Sequence, residues 1–321
     1  MVHELKYLGI LVNDNVRCFR KHKEEKIKQA KKMANMTYSV MHKSCNKIMI
    51  GKVYWKSVVL PAVLAGASVL CWTRLELEIM QKIENGVWRM MLGAPGYAPV
   101  STLQGEVGAS GVAARDIKIK LGYQKYLMSC ENELLRKVYE EVIKDETGDW
   151  RSTVGEYNRR LELREGDLKQ MSGLELKKKI REWDTERWRN DKESKATLAV
   201  YNQFKKEIID EEIYINDHNS VLLYRCRSNT LKLGWRNRFV GGDVGCRVCG
   251  SAEPETVEHF LQECDGLREV RELNGVEAAT VGDLLLFGVR EEERVDKYRR
   301  CIGKLWSRRA AVLKQREEQP T

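Results

Sequence analysis

Cysteine and histidine side chains gathered within a few residues can hold a transition metal, and residues 246–264 carry such a set. Cys246, Cys249, His259 and Cys264 follow the spacing Cys-x2-Cys-x9-His-x4-Cys. Two cysteines separated by two residues can grip one ion from a single turn, because the backbone amides between them point at the thiolates; a histidine and a further cysteine complete a tetrahedron. Gly245 and Gly250 flank that turn and permit its tight backbone. One histidine and one isolated cysteine pair specify a mononuclear four-ligand site, which favours Zn2+ over an iron–sulfur cluster. All four ligands are consumed, so the expected site is closed and structural, without an open position for activated water. The alternative is a chance gathering of small buried thiols. With five histidines in 321 residues, a full ligand set inside nineteen argues against chance.

His259 and Cys264 are not an ordinary helical pair. Five residues of α-helix turn through about 500° and leave the two side chains roughly 140° apart. The helix that begins near Thr256 is therefore expected to end before Cys264, in agreement with Gly266, and Phe260 and Leu261 supply a small apolar support. Cys264 or Cys301 with His259 would make a thiol–histidine pair, but no third member or oxyanion motif accompanies them. Neither a phosphate-binding glycine loop nor a nucleophile elbow is present. Cys18, Cys45, Cys71, Cys130, Cys226 and Cys301 are scattered, which fits a reducing compartment better than a disulfide framework. The opening residues, Met1 to Lys6, lack a signal-peptide core, so an intracellular location, cytoplasm or nucleus, is expected.

The net charge of +9 is localised. Residues 1–60 hold thirteen Lys and Arg against four Asp and Glu, and the rest of the chain balances at 43 against 43. Within that excess, Arg20, Lys21 and Lys23 with Lys26, Lys28, Lys31 and Lys32 form a dense block. It would attract a polyanion, nucleic acid before lipid, or serve as a solvated helix face. A second excess runs from Arg225 to Arg247 through Arg227, Lys232, Arg236 and Arg238, and abuts the cysteines. Trp235 within it would stack on an unpaired base or pack as a core tryptophan. A third, from Lys297 to Arg316, follows Glu291-Glu292-Glu293 and reads as a self-neutralising helical tail. Between Lys56 and Arg74 lie seventeen uncharged residues, the lower edge of what a bilayer needs, but Pro61, Gly66 and three hydroxyl residues dilute them. A buried helix is expected there, and no membrane span.

These elements imply a mainly α protein. Leu5 to Val12 reads as a short strand closed by Asn13-Asp14, without a partner for its amides. Helices are expected over Arg20–Lys47, with Ile27, Ala30, Ala34, Tyr38 and Met41 inward. Further helices are expected over Ile50–Trp72, bent at Pro61, and over Leu75–Leu92, with Leu75, Ile79, Ile83, Val87 and Met90 inward. Two more should lie between Thr102 and Leu135, parted near Gly105–Gly111, and another spans Leu174–Phe204. The division expected is a mostly helical domain over 1–145, a helical connector over 146–220, the basic segment with its zinc knuckle over 221–290, and a charged helix or tail over 291–321.

Tyr7-Leu8-Gly9-Ile10 before a basic helix, then Leu60-Pro61-Ala62-Val63-Leu64-Ala65-Gly66-Ala67, Gly93-Ala94-Pro95 and Leu103-Gln104-Gly105-Glu106-Val107-Gly108 stand in a telling order. Together with Leu223-Tyr224-Arg225-Cys226-Arg227-Ser228-Asn229 and the run from Thr256 to Cys264, they resemble the post-palm, thumb and tail of non-LTR (LINE-type) retrotransposon reverse transcriptases. The resemblance covers about residues 5–290, with a weaker middle. It implies an RNA-directed DNA polymerase whose palm aspartates hold Mg2+ in a Tyr/Phe-x-Asp-Asp turn ahead of the Tyr-Leu-Gly strand. No Asp-Asp dipeptide occurs in this sequence. The expectation is thus a truncated C-terminal part, inactive alone, with Mg2+ belonging only to the missing catalytic part. What remains would grip RNA or DNA: Lys26, Lys28, Lys31 and Lys32 from the thumb, and Arg227, Trp235, Arg236, Arg238 and Arg247 around the knuckle. Two alternatives stand beside it: one part of a working polymerase encoded upstream, and a zinc-knuckle module that binds protein.

Overall fold

The computed structural model describes residues 4–7, 9–13, 19–44, 46–164 and 166–318; Leu8, Asp14, Cys18 and Cys45, to which the sequence assigned roles, lie outside these. The chain is mainly α with a short N-terminal sheet. In order, β1 (Glu4–Tyr7) and β2 (Ile10–Asn13) precede α1 (Arg20–His42), α2 (Lys47–Tyr54), α3 (Leu60–Leu64), α4 (Arg74–Leu92), α5 (Val100–Val107) and α6 (Val112–Ser129). There follow α7 (Glu133–Lys144), α8 (Asp149–Arg160), α9 (Asp167–Gln170), α10 (Gly173–Glu193), α11 (Ala199–Phe204), α12 (His218–Arg227), α13 (Arg268–Leu273), α14 (Val281–Leu284) and α15 (Glu292–Glu318). Among the described residues no helix is long and apolar enough to cross a membrane.

The strand expected over Leu5–Val12 is a hairpin. Gly9 takes a left-handed φ of +84°, which glycine adopts without steric cost, and β1 and β2 pair antiparallel with Leu5 opposite Val12 and Tyr7 opposite Ile10. The segment supplies its own ladder, β2 ends at Asn13, and the turn expected at Asn13-Asp14 runs into residues outside those described. The long apolar helix also differs. After α2 the chain passes through a π-turn, Trp55–Val59, closed by the Leu60 amide donating to the Trp55 carbonyl. Pro61 has no amide and would crowd the carbonyl of residue 57, so a widened turn just ahead of it keeps the chain helical. The helix stops at Leu64, where Ala65 is extended and Gly66 left-handed, well short of Trp72.

Two compact units emerge, Met1–Val87 with Val107–Asn190, and Trp88–Glu106 with Asp191–Thr321. The boundaries expected at 145, 220 and 290 do not mark them. Residues 146–190 are not a connector, because α8, α9 and α10 bury Val154, Tyr157, Leu161, Leu168, Leu176 and Ile180 against Ile117 and Leu121 of α6. The single helix expected over Leu174–Phe204 breaks after Glu193 and resumes through a 3-10 turn, Ala196–Leu198, into α11.

Polar residues inside the first unit set its register. On α4 the buried positions are Met80, Glu84, Asn85, Val87, Trp88 and Met91, while Leu75 is 70% exposed and Ile79 is exposed. Glu84 turns the helix: its carboxylate accepts from Trp55 Nε1 at 2.8 Å and from Arg115 Nη1 at 2.7 Å. On α1 the inward residues are His22, Ala30, Thr37 and Met41, and Tyr38 is exposed against His42. Deeper still, Lys120 pairs with Asp116 at 2.5 Å with both side chains fully buried, and Tyr157 Oη donates to the same carboxylate. Burial pushes the Asp116 carboxyl up and the Lys120 amine down, against the attraction of the pair. Replacing Lys120 with Met leaves the buried Asp116 with the Tyr157 hydroxyl but no counter-ion, so that it must carry an uncompensated charge or bind a proton, which should cost about 3–5 kcal/mol in a urea melt. The triple variant Asp116→Leu, Lys120→Met, Tyr157→Phe should recover most of that, since apolar replacement of a whole buried pair is often neutral; an equal loss in both variants would refute this account.

Candidate metal centre and the basic turn

The second unit brings the four expected ligands together. The Gly250 amide donates to the Cys246 carbonyl and the Cys246 amide to the Ser251 carbonyl, both at 2.9 Å, closing a tight turn with Gly250 at φ +81°. Gly245 bridges Pro254 behind it. The other two ligands come from a short helix begun at Thr256, whose Oγ1 accepts from the His259 amide at 3.1 Å. That helix ends at Glu263, as expected, and does so through a π-turn, His259–Glu263. The Cys264 amide donates to the His259 carbonyl at 2.8 Å, and Cys264 itself is extended. An i→i+5 rung holds about one residue more than an α rung, which carries Cys264 round to the side of His259.

The ligand atoms of Cys246, Cys249, His259 and Cys264 all lie within 4.8 Å of one another. Cys246 Sγ is 3.7 Å from Cys264 Sγ, and Cys249 Sγ is 3.4 Å from His259 Nε2. A tetrahedron with metal–sulfur bonds of about 2.3 Å has sulfur–sulfur edges of about 3.8 Å, so the cluster fits a metal ion of that size. His259 Nδ1 points the other way, 3.6 Å from Glu263, which leaves Nε2 as the ligand atom and a carboxylate beside the outer nitrogen. Glu253 and Glu263 also gather around His259, but both are exposed, and surface carboxylates collect without an ion. Burial pushes the Cys246 thiol up; burial and the neighbouring cysteines push the Cys264 thiol up to about 12. Without a cation, then, the Cys246 and Cys264 thiols favour keeping their protons, and a cation must displace them.

Packing around the ligands is dense. Val248, Phe260, Leu261 and Leu267 are buried, and a Cβ on Gly266 would meet Val248 Cγ1 at 2.9 Å. The helix α15 pairs with itself as expected, Arg299 and Arg300 meeting Asp296 at 2.8 and 2.7 Å, and it also braces the knuckle. Arg309 grips the buried Glu255 through two bonds of 2.6 and 2.7 Å, and Glu255 also accepts from the Gly234 amide at 2.6 Å. Farther along, Arg316 donates to the Val248 carbonyl at 3.2 Å, and Trp306 meets Phe260 edge to face. Opposed charges on one helix suggest self-pairing, but nothing in their spacing reveals a carboxylate fifty residues upstream.

The basic candidates divide. Arg227 is fully buried, with Nε 3.0 Å from Glu106 and Nη2 3.1 Å from Glu211, so it cannot reach a phosphate. Trp235 is also buried, so the base-stacking role fails and the core role holds. Arg236 is half-buried over the Tyr97 ring at 4.5 Å; Arg238 and Arg247 are exposed. In the first unit, Lys26 turns its amine inward to the Ala62 carbonyl at 2.8 Å, and burial pushes that amine down. Lys28, Lys31 and Lys32 remain exposed, and no Asp or Glu occurs between Glu25 and Glu76. The residue that periodicity missed is Phe239, which shares the 3-10 turn Gly234–Val240 with Trp235 yet is 59% exposed. The only sequence signal was its place before Gly241-Gly242, where a chain turns at the surface.

The chain matches no family model, no curated protein and no solved structure among those compared with it.

Proposed function

We propose that this chain is the nucleic-acid-binding C-terminal part of a LINE-type reverse transcriptase, a basic helical unit followed by a unit stapled by structural Zn2+. Three thiolates and one imidazole are the ligand set and softness that Zn2+ takes in closed sites. The observation that carries the binding role is the exposed turn bearing Arg236, Arg238 and Phe239, packed on the ligand-bearing segment by the Gly234 amide and Glu255. The exposed Lys31 and Lys32, with Lys28 paired to Glu25 at 2.9 Å beside them, add a second cationic surface that tracks phosphates without reading sequence. Polymerisation would require aspartates that this sequence does not contain as a pair, and Mg2+ belongs with them.

Filter binding tests the reading. The metal-loaded chain should retain single-stranded RNA or duplex DNA at ~50 mM salt and release it by ~200 mM, the signature of counterion release. Replacing Lys31 and Lys32 together with alanine should lower the log–log salt slope by about 2, whereas Lys26→Ala, whose amine is held by Ala62, should leave it unchanged. No retention at ~50 mM salt would sink the proposal.

A further inference from the structure

We infer that Phe239 is a stacking platform for an unpaired base, with Arg238 and Arg236 placed for the flanking phosphates, so that the second unit takes single-stranded nucleic acid in preference to duplex. This rests on the nucleic-acid reading above and names the ligand of its basic turn.

The turn is built to hold an aromatic ring outward. Trp235 lies beneath it, ring centroids 5.8 Å apart at 69°, and the Gly242 amide donates to the Asn237 carbonyl at 2.9 Å. Asn237 Nδ2 in turn donates to the Asp243 carbonyl at 2.6 Å, and Gly241 closes the turn at φ +70°. Such bracing would be wasted on a loop with no use for its tip, and Val240 beside Phe239 is 84% exposed. The charge beside the ring is oriented but not neutralised. The Arg238 guanidinium sits 4.6 Å from the Trp235 centroid and 4.8 Å from that of Phe239, while Arg236 is steadied by Tyr97 and by the Asn229 carbonyl at 3.0 Å. Asp243, the acid of this segment, spends its carboxylate on the Gly245 amide at 2.9 Å. An aromatic face next to guanidiniums held by rings is the combination that binds a single strand: the ring takes the base, the cations take the backbone. In a duplex the base faces are already stacked, so the ring has nothing to grip.

Fluorescence anisotropy of the full, metal-loaded chain with labelled oligo-U, oligo-dT and a short duplex at ~50 mM salt reads this out. Phe239→Ala should weaken binding of both single strands about tenfold without changing the salt slope, and leave duplex binding as it was. Phe239→Trp should restore the single-strand affinity, which a variant damaged in folding would not permit. Arg238→Ala should lower the slope by about one for every ligand. The tighter of the two single strands identifies RNA or DNA as the source. Unchanged single-strand affinity in Phe239→Ala, or an equal loss on the duplex, overturns the stacking site alone. Absence of binding by the unaltered chain overturns the nucleic-acid reading and this site with it.

Discussion

Replacing Cys264 with serine is expected to reduce bound metal from one ion per chain to none and to melt the segment around it. Cys264 is wholly buried, its carbonyl accepts from Arg271 Nη2 at 2.9 Å, and its sulfur faces Cys246. The knuckle has a small apolar core, Val248, Phe260, Leu261 and Leu267, whereas ions in structural sites of this kind contribute about 10–16 kcal/mol to peptides that fold around them. Losing the ion therefore removes most of what orders residues 244–267. Metal analysis after gel filtration and proteolysis across that segment read both effects. The same chemistry fixes a pH dependence. Each thiol must give up its proton to become a ligand, and burial already holds the Cys246 and Cys264 thiols above their usual range. Protons thus compete more strongly as pH falls, by up to about a thousandfold in affinity per pH unit for three thiols. Competition against a chelator should show metal retained above neutrality and surrendered on acidification; affinity independent of pH would refute thiolate ligation.

Arg227→Ala should be the most damaging single change elsewhere in the second unit. The guanidinium is fully buried and makes four polar contacts: two to Glu106, one to Glu211 and one, at 2.8 Å, to the Leu285 carbonyl, with the Phe287 ring centred 3.9 Å away. Tyr214 Oη also donates to Glu106, at 2.5 Å. Alanine would leave Glu106 charged, buried and held by one hydroxyl, a loss of about 3–5 kcal/mol. In a unit of this size that lowers the melting temperature by roughly 10 °C. Arg227→Lys should recover only part, because an ammonium cannot span two carboxylates as the planar fork does. Below the variant's melting temperature, oligonucleotide affinity and its salt slope should match the unaltered chain. An unchanged melt with weakened binding would return Arg227 to the surface role its position in the sequence suggests.

Arg227 also marks the limit of reading this chain from its residues. The cluster that could hold a metal ion was legible because its four residues lie within nineteen and spacing alone constrains them. The predominance of helix was legible as well, and Gly93 and Gly111 bound helices as expected. What periodicity could not reveal is a core that contains charge. Counting apolar residues places Glu84, Asp116, Lys120 and Arg227 in solvent, yet all four are buried, and they decide the register of α4 and the pairing of α6 with α8. The same blindness produced the boundary at 145, since α8 to α10 are heavily charged and bury one narrow stripe. Trp235 and Phe239 sit four residues apart on one turn, and only the hydrogen bonds of Gly234 and Asn237 determine which is covered.

The two π-helical turns among the described residues, Trp55–Val59 and His259–Glu263, are helices carrying one residue more than their ladder needs. At such a place a change in chain length is absorbed locally. Deleting Glu263 would set His259 and the next cysteine four apart, about 400° along an ordinary α-helix and so still on one face, and the ion could still be held. Deleting a residue within α6 would rotate everything beyond it by about 100° and scatter the buried set. Among homologous chains, single-residue gaps should therefore gather at these two turns and spare the helices between them.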